Sequence, residues 1–338
     1  MDSLAPDRIR LSVDEARAVA GRALARIGYD AEEARIVADH VIDAALCGYE
    51  YSGLPKILNV AEHRRLREPR RPMRAVHETP VSARFDGGNN VGMVTLCRAS
   101  QAAIEKANRH GYALVGVNNS WVSGRSAYYV EMIARAGLVG MLTVASTRHV
   151  APIGGALASI GTNPVAFGFP CDGEAFVFDM GTSAFMSTDL LFRQRRGELL
   201  PEGVAIDARG RPTRDPAEVK KGAILPFGGY KGFGLAMVMQ AFGVLAGSAT
   251  DVEQSYGYLV MAFRPDLLVP LEEYKRDLAA MLARVKATPR QPGVDEIRLP
   301  SERAFRERAR SLREGIVIDR KIHDALLALP QGALPERK

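Results

Sequence analysis

Gly228-Gly-Tyr-Lys-Gly-Phe-Gly234 is the stretch on which the reading of this chain turns. Four glycines in seven residues let a backbone approach a ligand closely, and Lys231 adds a fixed positive charge. The apolar helix expected over 235–245 would point free N–H groups at the same place. These are the parts of a phosphate site, and equally those of a tight turn that packs a helix on a sheet. The segment matches neither the GxGxxG dinucleotide fingerprint that follows a strand nor the GxxxxGK[ST] phosphate loop, and neither occurs elsewhere.

Outward from that segment the pattern is α/β. Short apolar runs at 113–117, 139–144, 165–169, 175–179 and 258–263 read as strands. Helices are expected over 93–109, closed by Gly111, over 127–136, closed by Gly137, and on both sides of the loop 289–300. Asp86-Gly-Gly-Asn-Asn90 reads as a turn, and Asp207-Ala-Arg-Gly210 as a hairpin tip inside a loop-rich excursion from 201 to 215. The first fifth of the chain is helical. Ser12 with Glu15 forms a capping box, Asp30 with Glu33 repeats the pattern, and Gly28 and Gly48 end the two helices. Tyr49 to Lys56 then leaves a helix C-terminus, where a loop held by rigid elements can aim side chains.

Composition narrows the function. The 338 residues are 47% hydrophobic and 25% charged, ordinary for a globular protein of about two domains. No apolar run reaches the ~18 residues of a membrane span, and residues 1–10 lack the apolar core of a secretory signal, so a cytoplasmic protein is expected. Cys47, Cys97 and Cys171 are scattered and form no zinc spacing. The six histidines are equally dispersed, so metal chemistry is unsupported, and His40 inside a helix reads as structural. Lys+Arg total 45 against 39 Asp+Glu, a net charge of +6. Six arginines crowd residues 64–74, but prolines break the run and no aromatics interleave it. That reads as a solvated loop, with small anions better partners than nucleic acid.

Eight motifs in order carry a resemblance. They are Asn119-Ser120, Ala151-Pro-Ile-Gly-Gly155, Gly161-Thr-Asn-Pro164, Asp179-Met-Gly-Thr-Ser183, Pro201-Glu-Gly203, Pro212-Thr-Arg-Asp-Pro216, Leu225 to Leu235 and Leu299-Pro-Ser-Glu-Arg303. Together, from about Leu11 to Ala328, the chain resembles the malate/L-lactate dehydrogenase-like family, which also holds the Δ1-piperideine-2-carboxylate/Δ1-pyrroline-2-carboxylate reductases. The resemblance implies a non-Rossmann, mixed and largely antiparallel sheet, a homodimer, and NADPH or NADH as cofactor. It implies a helical region over 8–75, a second α/β domain of 76–118 with 266–338, and a cofactor domain over 119–265. Cofactor contacts would fall on Asn119, Ser120, Trp121, Val122, Ser123, Met180, Gly181, Thr182, Gly229, Lys231, Gly232, Ser301, Arg303 and Arg306. Thr162 would touch substrate.

The departures matter as much. Most members carry Ser-His-Gly, its histidine the proton donor, and an arginine four residues beyond that grips the substrate carboxylate. Here Tyr51 and Ser52 precede Gly53, and Lys56 replaces the arginine. A second family histidine falls on Val122. A ketone under reduction wants a placed donor more than a cyclic imine does, because the imine can protonate first. The expected activity is therefore NAD(P)H-dependent reduction of a small cyclic imino acid. Asp189 would hold the iminium, Lys56 the anion, and Tyr51, its phenol acidified by nearby cations, or Ser52 would donate or orient. A 2-hydroxy acid dehydrogenase using Tyr51, or a binding relative without catalysis, are the alternatives.

Overall fold

Both N-terminal caps form, and they set the first layer of the structure, a computed structural model that describes residues 5–248 and 256–332. After a short strand β1 (Arg8–Leu11), Ser12 and Glu15 bond reciprocally at the start of α1 (Val13–Arg26). The Asp30 carboxylate accepts the Glu33 N–H at the start of α2 (Ala31–Leu46). Helix α3 (Pro55–Glu62) opens with Pro55, whose missing N–H has no intrahelical acceptor to lose.

Three stretches then differ from expectation. The arginine-rich segment is not simply solvated. Arg70 is 4% exposed, donates to Glu33 of α2 at 3.0 Å and lies over the Tyr29 ring. Arg65 clamps Asn89, Asn119 and the Ser120 carbonyl. Next come β2 (Arg74–Thr79) and β3 (Ser82–Val91), and the expected turn at 86–90 lies inside β3 as a bulge. The bulge is possible because Gly88 and Asn89 take positive φ (64° and 62°) and the Asp86 carboxylate accepts the Gly88 N–H.

The chain continues through α4 (Gly92–His110), β4 (Tyr112–Trp121), α5 (Ser126–Arg135), β5 (Val139–Ala145), β6 (Val165–Phe169), β7 (Phe176–Met180) and α6 (Ser187–Arg196). A small hairpin of β8 (Ala205–Ile206) and β9 (Ala223–Ile224) brackets α7 (Pro216–Val219), and Asp207 to Arg211 forms the expected tight tip. Helix α8 (Tyr230–Leu245) starts five residues earlier than expected, so the glycine-rich segment is its first turn rather than a loop before it. Gly232 has no room for a Cβ against the Phe227 carbonyl, so close packing dictates that glycine. The last elements are β10 (Gly257–Phe263), α9 (Leu271–Lys286), α10 (Glu302–Glu314), β11 (Ile316–Asp319) and α11 (Arg320–Leu327).

One sheet organises the molecule, in the order β2-β3-β4-β10-β5-β6-β7. Only β3 and β4, joined through α4, pair in parallel, and every other neighbouring pair is antiparallel. That is the expected mixed, largely antiparallel α/β fold. Strand β4 runs across residues 118 and 119, so the sheet is continuous over that expected boundary. The central strands are apolar on both faces, which α4 and α5 cover on one side and α8 on the other. The N-terminal helices stand at the edge of this core. Among the described residues no helix is long and apolar enough to cross a membrane.

Candidate active site

Helix α3 presents its chemistry on one face. Lys56, Asn59 and His63 are spaced three and four apart, so they stack along a single stripe, and all three line a cavity of about 410 Å³. Lys56 is 6% exposed, and its Nζ donates to Thr188 Oγ1 at 2.8 Å, with no carboxylate partner among the described residues. Burial pushes its pKa down to about 8, because the charged form loses its hydration. The His63 ring stacks flat on Trp121, 4.5 Å between centroids, and its Nδ1 accepts the Arg65 N–H at 3.3 Å. Burial, with Arg65 and Arg64, lowers the His63 pKa to about 4 and keeps the ring neutral. The opposite wall carries Val122, Ser146, Thr147, Arg148, His149, Thr162 and Tyr256. Among the described residues no Asp or Glu lines this cavity.

A second cavity of about 320 Å³ adjoins the first, sharing Lys56, Gly124, Pro164, Met186 and Thr188. Tyr49, Tyr51, Ser52, Arg125, Asp179, Gly181 and Ser301 complete its wall. His40 holds this wall in place. Its Nε2 accepts the Arg125 N–H at 2.8 Å, burial pushes its pKa down to about 3, and it is the structural histidine expected. Gly124, at φ +77°, passes so close to that ring that a Cβ would collide with Nε2. Arg125 pairs with Asp43 at 2.7 Å and lies over the Tyr49 ring, which Arg303 also covers at 4.7 Å. Asp179 caps α5 from another element by accepting the Ala127 N–H.

The second cavity suits an anionic ligand. Helices α6 and α10 both begin on its wall, at Met186 and Ser301, without a side-chain cap, so the positive ends of two helix dipoles lie at it. Ser126, 3% exposed, lines it with an Oγ that has no hydrogen-bond partner among the described residues. An orphaned buried hydroxyl beside cations and helix N-termini fits the phosphate-bearing part of a dinucleotide, and Gly181 and Ser301 would be among its contacts.

Several expected site residues stand elsewhere. Of the stretch 119–123 only Val122 and Ser123 reach a cavity. Asn119 is spent on Arg65 and Asp86, Ser120 on Thr95 and the Asn90 carbonyl, and Trp121 on the Asn89 carbonyl. Thr182 is buried, its Oγ1 donating to the Thr162 carbonyl, and thereby fixes Thr162 rather than facing the cavity. Met180, Gly229, Lys231 and Gly232 line neither cavity. Arg306 lies outside as well, between Glu296 and Glu302, which neutralise it. Asp189 lines neither cavity. It sits in the first turn of α6, one residue past Thr188 and 3.6 Å from Arg193, with burial raising its pKa. Tyr51 is not acidified by cations. Burial, Tyr49 and the carboxylates of Asp189 and Asp179 push its pKa up to about 12.

Sequence reasoning overlooked His63, Asn59, Arg125, Ser126 and Arg148. The i, i+3, i+7 stripe from Lys56 was the available signal for two of them. Nothing local marked the others, which reach the site through the sheet and the α5 entry.

Two adjoining cavities thus lie at the strand ends of a sheet that is mixed and largely antiparallel, and comparison with known proteins gives the class of protein this arrangement belongs to. The sequence belongs to the malate/L-lactate dehydrogenase family, whose profile matches residues 11–327. It is 33% identical over 335 residues to an L-sulfolactate dehydrogenase of Methanothermobacter thermautotrophicus, covering 95% of this chain and 96% of that one. It is 32% identical over 332 residues to a Δ1-pyrroline-2-carboxylate/Δ1-piperideine-2-carboxylate reductase of Pseudomonas aeruginosa, covering 95% and 99%. The malate dehydrogenase structure from Pyrococcus horikoshii superposes with a TM-score of 0.86 at 28% identity, covering 97% of each chain. The protein is thus an oxidoreductase of the dehydrogenase/reductase type, and its family implies a nicotinamide cofactor.

Proposed function

We propose that the protein reduces the carbonyl of a small 2-oxo acid, with its anionic group held by Lys56. The observation that carries this reading is the buried Lys56 ammonium at the junction of the two cavities, with the Thr188 hydroxyl as its only hydrogen-bond partner among the described residues. A buried cation without a counter-ion is costly, and a ligand carboxylate offsets that cost. Arg148 adds a second cation to the same wall, which carries no carboxylate among the described residues, an environment that favours a neutral carbonyl and disfavours an iminium. Near-equal identity to a sulfolactate dehydrogenase and an imine reductase leaves the choice to this geometry.

A bound nicotinamide would supply the hydride. Thr162, fixed by Thr182, orients the substrate, and Lys56 and Thr188 hold its anionic end. Ser52 and Tyr51 close the adjoining cavity, and Tyr51 is too weak an acid to be the ready donor. Arg303, without a carboxylate partner among the described residues and lying over the Tyr49 ring of the second cavity's wall, supports NADPH over NADH, since its fork suits a 2′-phosphate. The cyclic imino acid reading retains one supporting feature: Asp189 stands in the first turn of α6, next to Thr188, which lines both cavities.

Turnover of pyruvate, oxaloacetate and Δ1-pyrroline-2-carboxylate with each cofactor tests the reading. A higher kcat/KM for an oxo acid with NADPH is expected. A dominant pyrroline-2-carboxylate activity would return the choice to imine reduction, and no oxidation of either cofactor would remove both.

A further inference from the structure

We propose that His63 supplies the imidazole this chain lacks at both family positions, donating from Nε2–H to the carbonyl oxygen of the substrate. The inference rests on the oxo acid reading above and assigns the hydrogen-bond donor that reading requires.

Three observations converge on this ring. His63 lines the same cavity as Lys56, Thr162 and Val122, and Val122 is the position on which the second family histidine falls. Its orientation is set from both sides. The flat stack on Trp121 fixes the ring plane, and Trp121 is itself fixed by the bond from its Nε1 to the Asn89 carbonyl. Its tautomer is also set. Nδ1 accepts the Arg65 N–H, so the proton of the neutral ring lies on Nε2, the edge with no protein partner among the described residues. A neutral imidazole held this way is an electrophile. When hydride reaches the carbonyl carbon, the former π pair moves to oxygen, and a preplaced N–H stabilises that oxygen more than it stabilised the ketone. A water proton entering past the exposed Arg148 and His149 then completes the alcohol, so His63 ends the cycle with its own proton.

The arrangement also explains why Tyr51 and Ser52 can stand where the family carries Ser-His. The donor has moved from position 52 to His63, at the far end of α3.

Two variants and one spectrum test this. His63→Phe keeps the stack and removes the donor, and His63→Gln restores an N–H. With oxaloacetate and NADPH, His63→Phe should lower kcat by about a hundredfold, and His63→Gln should recover part of that loss. Quenching of the chain's single tryptophan, Trp121, by NADPH should remain in both, which separates lost chemistry from lost fold or cofactor binding. In the wild-type protein at pH 7, the ¹⁵N spectrum of His63 should show a neutral ring protonated on Nε2. A kcat within about threefold of wild type in His63→Phe, or a proton on Nδ1, would overturn the assignment while leaving the oxo acid reading standing. If the wild type reduced no oxo acid, both would fall.

Discussion

Lys56 gathers most of the site's energetics into one side chain. Its pKa of about 8 means that the ammonium holding the substrate is lost as pH rises through that value. kcat/KM for an anionic substrate should therefore fall above about pH 8, and Lys56→Ala should remove the inflection. The same variant should raise KM about tenfold, roughly 1.4 kcal/mol. Steady-state kinetics from pH 6 to 10 check both. Stability should move the other way. The unfolded lysine keeps its proton to about pH 10.4, whereas the folded one releases it near 8. Between those values the unfolded state binds more protons, so stability rises with pH across that window, and below it the buried charge is a full penalty. Lys56→Met should stabilise the ligand-free protein at pH 7 by on the order of 3 kcal/mol, read as a higher midpoint in urea. An unchanged or lower midpoint would show that Lys56 is already compensated.

At the scale of elements, α2, α3 and the arginine-rich segment form one functional unit, and the Glu33–Arg70 pair ties it together. Arg70→Met removes the partner that the buried Glu33 carboxylate has at 3.0 Å and should lower stability, by at most about 3–5 kcal/mol. The double variant with Glu33→Gln should recover much of it, as a double-mutant cycle in urea would measure. Only part of this unit was legible in the sequence. Helices with local signals, such as Ser12 with Glu15 or Gly111 in left-handed conformation, were plain because cap and residue type lie within one turn of each other. The burial of Arg65 and Arg70 was not, because their partners lie about 20 to 50 residues away and composition records only charge. The bulge in β3 was read as a turn for a related reason. Gly-Gly-Asn-Asn states the local backbone requirement but not the neighbouring strand that carries pairing past it. The same limit hid the site: spacing on α3 reveals a face, and only packing reveals that this face meets Thr162 and Val122.

At the scale of the whole molecule, one surface is left unexplained by a single chain. Helix α8 is apolar all round, yet Tyr230, Met237, Val238, Val244 and Leu245 are exposed along it, with Phe227 beside them. A helix hydrophobic on every side belongs in an interior, and a second copy of the chain is the partner that the family resemblance implies. Val238→Arg with Leu245→Glu should convert a dimer to a monomer in sedimentation velocity, and a monomeric wild type would contradict the assignment. The fold class followed from the sequence because eight motifs in order constrain a topology that no single motif does. The expected cofactor contacts were less legible, since the side chains of Asn119, Ser120 and Thr182 bond to Arg65, the Asn90 carbonyl and the Thr162 carbonyl, and none of the three lines either cavity. The most direct test of hydride transfer to an oxo acid at this site uses NADPH and NADH deuterated at C4 of the nicotinamide, with oxaloacetate or pyruvate as acceptor. One deuterium at C2 of the 2-hydroxy acid formed, with the yield at subsaturating acceptor sharply reduced in Lys56→Ala, is the expected result. No deuterium in the product from either cofactor, or transfer unaffected by the loss of Lys56, would contradict it.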